Sequence, residues 1–113
     1  MQGAAKKLGR PWETGKSFEH SAPIGPITPA AQAGDIAHAA ITLHVNGELR
    51  QASTVDMLIW NVAETIADLS TYFTLQPGDL IYTGTPAGVA AVQRGDELLG
   101  AIDGLGTLRV KVV

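Results

Sequence analysis

Apolar and polar residues alternate along residues 39–52, which is the period of a β-strand with one buried face. The apolar positions are Ile41, Leu43 and Val45. Asn46-Gly47 follows them, and this dipeptide favours a two-residue hairpin loop because both residues tolerate positive φ angles. The pattern predicts a β-hairpin over 39–52. His44, which lies between apolar positions, is expected to face solvent.

A helical period replaces this alternation between Asp56 and Thr71. Its apolar residues recur every three or four positions, at Leu58, Val62, Ile66 and Leu69. This spacing predicts one amphipathic helix over 56–71. Its first residue stays open, because four side chains suited to N-capping lie near its start: Ser53, Thr54, Asp56 and Asn61.

Three further strands are predicted in the last third of the chain. Leu80-Ile81-Tyr82 is a short apolar run between glycine and proline turn signals. Residues 97–103 and 106–113 are predicted as two strands joined by a turn at Asp103-Gly104. In the second of these strands apolar and charged residues alternate, as Leu108, Arg109, Val110, Lys111 and Val112. The pattern favours a mainly β (α+β) fold with one central amphipathic helix.

Proline and glycine dominate the amino-terminal third. Four prolines and four glycines fall within residues 9–34, and proline neither donates a backbone hydrogen bond nor tolerates helix in the residue before it. We therefore predict an extended, turning segment over 9–34. Residues 4–8 ahead of it are interpreted as the end of a helix.

Composition excludes several classes of protein. The chain has 113 residues, 45% of them hydrophobic and 17% charged, which is too apolar for a disordered chain and long enough for one domain or part of one. The net charge of −3 comes with no basic block, so we expect no nucleic-acid partner. Its apolar runs are too short to span a membrane, and without cysteine there is no thiolate metal site. We expect a cytoplasmic protein.

Two polar segments rich in glycine and proline are candidates for chemistry, at 9–25 and 75–89. From composition alone, two ordinary surface loops remain the simpler interpretation. The chain has no Gly-x-Ser-x-Gly, no phosphate-binding Gly-x-x-x-x-Gly-Lys-Ser/Thr and no His-Glu-x-x-His. Its three histidines, at 20, 38 and 44, do not have helical metal-ligand spacing.

Three stretches carry a family resemblance. They are Gly-Lys-Ser-Phe-Glu-His-Ser-Ala-Pro-Ile-Gly at 15–25, Val-Asn-Gly-Glu-Leu-Arg-Gln at 45–51 and Gln-Pro-Gly-Asp-Leu-Ile-Tyr-Thr-Gly-Thr-Pro-Ala-Gly-Val at 76–89. In this order they resemble the fumarylacetoacetate hydrolase family, in its acylpyruvate and fumarylpyruvate hydrolase branch, over essentially the whole chain. The resemblance implies the carboxy-terminal part of that catalytic domain over 1–113. The implied fold is an incomplete mixed β-sandwich roll.

The resemblance also implies a reaction and a site. Enzymes of the family hydrolyse a C–C bond in a 2,4-dioxo acid with a divalent metal, Mg²⁺ or Mn²⁺, and are commonly homodimers. Lys16 matches the family's active-site lysine. Thr85 matches the threonine that contacts substrate, with Gly84 beside it and Thr83 as a weaker candidate.

The chain departs from the family pattern at its amino end. The family's Glu-x-Glu pair, its metal-binding aspartate and its water-activating histidine and glutamate lie upstream of the matching region, and His20 does not match that histidine. We assign no metal ligand to the remaining carboxylates, Glu13, Glu19, Asp79 and Asp96, and interpret the last two as turn residues. We expect the chain to be inactive alone and to self-associate. An isomerase, decarboxylase or hydratase of the same family stays open, as does a non-catalytic β-rich module that pairs with another chain.

Overall fold

The computed structural model describes residues 19–113, whose four strands form one antiparallel sheet. The strands are β1 (Ala40–Val45), β2 (Glu48–Thr54), β3 (Glu97–Ile102) and β4 (Gly106–Lys111), in the spatial order β2-β1-β3-β4. The helices are α1 (Ala30–Ala33) and α2 (Val62–Leu69), with a 3₁₀ turn at Val55–Met57. The mainly β fold with one central helix is confirmed. No helix of residues 19–113 is long and apolar enough to cross a membrane.

The predicted hairpin is confirmed, with one irregularity. Asn46 and Gly47 both have positive φ, 52° and 81°, as the two-residue loop requires. Leu43 pairs with Gln51, whereas the next residue, His44, pairs with Leu49. Arg50 is therefore an extra residue in β2, which is a β-bulge.

The prediction that His44 faces solvent needs correction, because its side chain is half-buried. It does lie on the opposite face of the sheet from Leu43. However, β1 is an inner strand, so the cross-strand partners Leu49 and Leu99 flank His44 on both sides. Side chains at directly opposed positions of neighbouring strands lie close together, which limits the exposure of the imidazole.

The register of the inner strands defines an apolar face of the sheet. Ile41, Leu43 and Val45 of β1 pair with Ile102, Gly100 and Leu98 of β3, and these pair in turn with Gly106, Leu108 and Val110 of β4. Val45 is 2% exposed, and within residues 19–113 it is the only buried hydrophobic residue. The strands at 97–103 and 106–113 are confirmed, and the Leu105 N–H donates to the Ile102 carbonyl across the predicted turn.

The helix predicted over 56–71 is shorter than expected. Leu58 has an extended backbone (ψ 137°), which separates the 3₁₀ turn from α2. Asn61 is the N-cap of α2, and its side-chain oxygen accepts from the Glu64 N–H while the Glu64 carboxylate accepts from the Asn61 N–H. This capping box starts the helix six residues after the expected position, since it satisfies two N–H groups that the first turn leaves free.

Two other predictions are wrong in part. Leu80-Ile81-Tyr82 is not in a strand: residues 79–86 have no regular secondary structure, and none of the described strands pairs with this run. Within the segment 9–34, α1 is helical rather than extended, and begins directly after Pro29. Residues 4–8 and the first part of 9–34 lie outside the described residues.

Candidate functional site

A cavity of about 470 Å³ opens on the apolar face of the sheet. Its floor comes from β1, β3 and β4, with the side chains of Ile41, Leu43, Ile102 and Leu108. Gly100 lies among them and has no side chain to fill the centre of the face. Two loop segments, at 25–28 and 84–86, form the rim. Apolar walls with a few polar groups at the rim are typical of small-molecule sites.

The two polar segments singled out in the sequence meet at this cavity. The Tyr82 hydroxyl donates to the Ala22 carbonyl oxygen at 3.2 Å and so joins the second segment to the end of the first. Gly25 packs against the sheet, because a Cβ there would lie 3.1 Å from Cδ1 of Leu108. The described part of the first segment and the Thr-Gly-Thr-Pro loop therefore share one site.

The structure places the predicted substrate-binding residues unequally. Thr85 is exposed and lines the cavity together with Gly84. The φ of Gly84 is +99°, a backbone angle that residues with a side chain rarely adopt. Thr83 is exposed and is not part of the cavity wall. Lys16 lies outside the described residues.

Gln51 is the functional candidate that the sequence analysis missed. Gln51 is 8% exposed, and within residues 19–113 it is the only buried polar residue. The amide Nε2 donates to Thr85 Oγ1 at 2.8 Å and to the Pro86 carbonyl oxygen at 2.7 Å. The hairpin loop alone would place Arg50 opposite Leu43, but the bulge puts Gln51 there, on the apolar face. A register shift of one residue exchanges the two faces of a strand, so alternation could not reveal it.

Asp79 and Asp96 have turn roles, as the sequence predicted. The Asp79 carboxylate accepts from the Gln76 N–H, and the Asp96 carboxylate accepts from the Gln93 N–H, both at 2.8 Å. Each turn has glycine as its third residue with φ above +90°, namely Gly78 and Gly95. Two Gln-x-Gly-Asp sequences thus form the same turn twice.

The carboxylates of residues 19–113 do not supply a metal site. No group of three or more histidine, cysteine, aspartate or glutamate side chains lies close enough to hold an ion in that part of the chain. Glu19 and His20 form a solvent-exposed contact with each other at 4.0 Å. Hydrogen bonds from the Gln93 N–H and the Asn46 amide hold the pKa of Asp96 below its ordinary value. We therefore assign no metal ligand among residues 19–113.

Comparisons with known proteins agree on one family. The model of the fumarylacetoacetate (FAA) hydrolase C-terminal domain matches residues 1–113. A crystal structure of fumarylpyruvate hydrolase from Pseudomonas aeruginosa in complex with Mn²⁺ and pyruvate is 61% identical, with a TM-score of 0.92 over 99% of this chain and 48% of that one.

Two curated relatives carry different activities. Fumarylpyruvate hydrolase of Ralstonia sp is 51% identical over 112 residues, which is 99% of this chain and 58% of the relative. Oxaloacetate tautomerase YcgM of Escherichia coli (strain K12) is 45% identical over 105 residues, or 92% of this chain and 48% of the relative. The chain thus spans about half the length of the curated relatives it matches. It belongs to the fumarylacetoacetate hydrolase family.

Proposed function

We propose that this chain is part of a metal-dependent hydrolase that cleaves the C–C bond of acylpyruvates such as fumarylpyruvate. The observation that carries the proposal is the 61% identity to a fumarylpyruvate hydrolase whose structure holds Mn²⁺ and pyruvate. Pyruvate is the product that such a cleavage releases from the dioxo acid. The bound Mn²⁺ of that relative supports a divalent metal, Mg²⁺ or Mn²⁺, in the whole enzyme. We assign no ligand for it to the described residues.

The chemistry of the reaction explains why donors at the cavity rim matter. Water adds to the carbonyl remote from the carboxylate, the C–C bond breaks, and its electron pair passes to the pyruvate fragment as an enolate. Protonation of the enolate carbon then gives pyruvate. Negative charge develops on the enolate oxygen, and a fixed donor aimed at such an oxygen is worth about 2.7–4 kcal/mol.

We assign two groups of this chain to stabilise the negative charge on the enolate oxygen. The hydroxyl of Thr85 lies at the cavity, where the backbone of Gly84 also allows close approach of a ligand. The ammonium of Lys16 supplies a positive charge and up to three donors, and its role rests on the family motif. In this proposal both residues hold the substrate's oxygens, while water activation belongs to groups outside residues 19–113.

The test uses two proteins: the 113-residue chain, and a hybrid that places it after the amino-terminal part of the Ralstonia relative. Each is assayed for loss of enol absorbance from an acylpyruvate and for release of pyruvate, with Mn²⁺ or Mg²⁺ added. We expect turnover by the hybrid and none by the chain alone. Lys16→Ala should lower kcat about 10²–10³-fold, the effect of losing one such donor. The control is Lys111→Ala, which changes an exposed lysine of β4. A folded hybrid without turnover would instead support the non-catalytic module.

A tautomerase is the second candidate function, and the identity of 45% to an oxaloacetate tautomerase supports it. Both reactions pass through an enolate, so the same donors serve either one. Product analysis separates them. Hydrolysis releases pyruvate from an acylpyruvate, whereas tautomerisation converts the enol of oxaloacetate into its ketone without breaking a C–C bond. Catalysed loss of oxaloacetate enol without pyruvate release from an acylpyruvate would favour the tautomerase.

A further inference from the structure

The amide of Gln51 can bind the loop above it in only one orientation. The Pro86 carbonyl oxygen accepts hydrogen bonds and cannot donate, so the amide nitrogen rather than the amide oxygen must face it. The same nitrogen lies 2.8 Å from Thr85 Oγ1. Its two N–H groups are therefore both committed, one to each loop residue.

This orientation determines what the Thr85 hydroxyl can do. A threonine hydroxyl has one proton and two acceptor lone pairs. Because the Gln51 N–H donates to Oγ1, the oxygen is the acceptor in that bond and its proton stays available for another partner. Thr85 lines the cavity and is exposed, so a ligand oxygen in the cavity is a suitable acceptor.

The surroundings of Gln51 hold its side chain in place. The bulge directs it to the apolar face, opposite Leu43. The loop then crosses β2 at Gly88, where an added Cβ would lie 3.1 Å from Cγ of Gln51 and would collide with the Arg50 carbonyl oxygen. A buried amide with both donors used and its stem packed on glycine has little freedom to rotate.

We propose that Gln51 is a positioning residue that fixes the Thr85 hydroxyl as a donor to the substrate's enolate or carboxylate oxygen. It acts through Thr85, because its amide nitrogen faces Thr85 and Pro86. The inference rests on the proposed function for the identity of the ligand. The hydrogen bond between Gln51 and Thr85 can be tested without that assumption.

The first arm of the test measures the hydrogen bond directly, in the hybrid protein labelled with ¹⁵N-glutamine. Gln51→Glu identifies the Gln51 side-chain amide signals by their loss. We expect these amide protons to exchange slowly with water in the unsubstituted hybrid, and Thr85→Val to shift one of them. Signals that do not respond to Thr85→Val would overturn the proposal, whatever reaction the hybrid catalyses.

The second arm is a double-mutant cycle on turnover of an acylpyruvate. Gln51→Glu preserves the shape of the side chain but removes both donors, and its carboxylate would accept the Thr85 proton. We expect kcat/KM to fall about 10- to 100-fold, as for the loss of a hydrogen bond to a charged group. Thr85→Val should cause a similar loss, and the double variant should lose little more than the larger single loss, because both changes remove the same donor.

Controls separate this role from folding. Gln32→Glu makes the same change at an exposed position of α1 and should leave kcat/KM unchanged. Gln51→Met removes the donors without adding charge and replaces Gln51→Glu in the cycle if the latter does not fold. Two outcomes would make Gln51 a structural residue and overturn the proposal. The first is that the losses of kcat/KM in the cycle are additive. The second is that both Gln51 variants fail to fold while Gln32→Glu folds. If the unsubstituted hybrid shows no turnover, the assignment of an acylpyruvate as the ligand is overturned. The NMR arm then tests the hydrogen bond between Gln51 and Thr85 independently of the reaction.

Discussion

Gly88 is the residue at which the loop carrying Thr85 crosses the backbone of β2. Its φ is +106°, and an added Cβ would collide with the Arg50 carbonyl oxygen. Gly88→Ala should therefore destabilise the fold twice, through backbone strain of about 1–3 kcal/mol and through the collision. Gly78→Ala is the matched control, because Gly78 has a φ of +96° but open space around it.

Urea unfolding of the two glycine variants in the hybrid protein tests this reasoning. We expect both midpoints to fall, and the midpoint of Gly88→Ala to fall further by the cost of the collision. Loss of turnover should also accompany Gly88→Ala, because the displaced loop carries Thr85. Equal shifts for the two variants would mean that the loop does not pack tightly against β2.

Asp96 gives the stability of the fold a dependence on pH. Its carboxylate accepts from the Gln93 N–H and from the Asn46 side-chain amide, 2.9 Å away, and both bonds lower its pKa. A group whose pKa is lower in the folded state stabilises the fold above its unfolded pKa of about 3.9. That contribution is lost as the pH falls through the lower, folded pKa.

Asp96→Asn should remove this contribution to the pH dependence. We expect the urea midpoint of the variant to lie below that of the unsubstituted protein near neutral pH, and the two to converge as the pH falls below about 3.9. Asp79→Asn is the control, since it changes the sister turn, where no contact with Asn46 exists. A constant difference from neutral to acid pH would contradict the assigned role of the carboxylate.

At the scale of elements, the capping box determines where α2 begins. The Asn61 side-chain oxygen accepts from the Glu64 N–H at 2.8 Å, and the Glu64 carboxylate accepts from the Asn61 N–H at 3.1 Å. Asn61→Ala should cost about 0.5–2 kcal/mol, whereas Asn61→Asp keeps the acceptor and should cost less. Chemical denaturation followed by far-ultraviolet circular dichroism measures both. Equal losses for the two variants would argue against the cap.

Local signals made the hairpin and the carboxy-terminal strands predictable. Asn46-Gly47 and Asp103-Gly104 need only their own backbone angles to form turns, and alternation then gives the strands. The helix predicted over 56–71 is too long, because the apolar stripe from Leu58 to Leu69 also fits a shorter helix that follows a 3₁₀ turn. Several capping residues competed for its start, and the sequence alone did not select Asn61.

Long-range features were not predictable in the same way. The bulge in β2 lies where Gly88 approaches Arg50 and Gln51, and it places Gln51 rather than Arg50 opposite Leu43, on the face of the cavity. Thr85 and Gly84 are predicted as substrate-binding residues from the resemblance to a family motif, because local patterns alone do not single them out. Leu80-Ile81-Tyr82 has strand composition, but a strand needs a partner, and none of the four described strands pairs with it.

At the scale of the whole molecule, the described residues bury little and expose much apolar surface. Within residues 19–113, only Val45 and Gln51 are buried. Ile59 is 97% exposed, and Met57 and Trp60 beside it are also exposed. Exposed apolar patches of this kind mark surfaces that bind another protein surface. The edge strands β2 and β4 add unpaired backbone groups.

We therefore predict that the 113-residue chain, produced alone, self-associates. Sedimentation velocity should give a mean mass that rises with concentration, because association buries the side chains around Ile59. Ile59→Asp with Trp60→Asp should lower that mass, since a carboxylate is costly to bury without a partner. Thr74→Asp adds charge at an exposed polar position and should leave the mass unchanged. A monomer at every concentration, with a single cooperative unfolding transition, would show instead that the chain is stable with this surface in water.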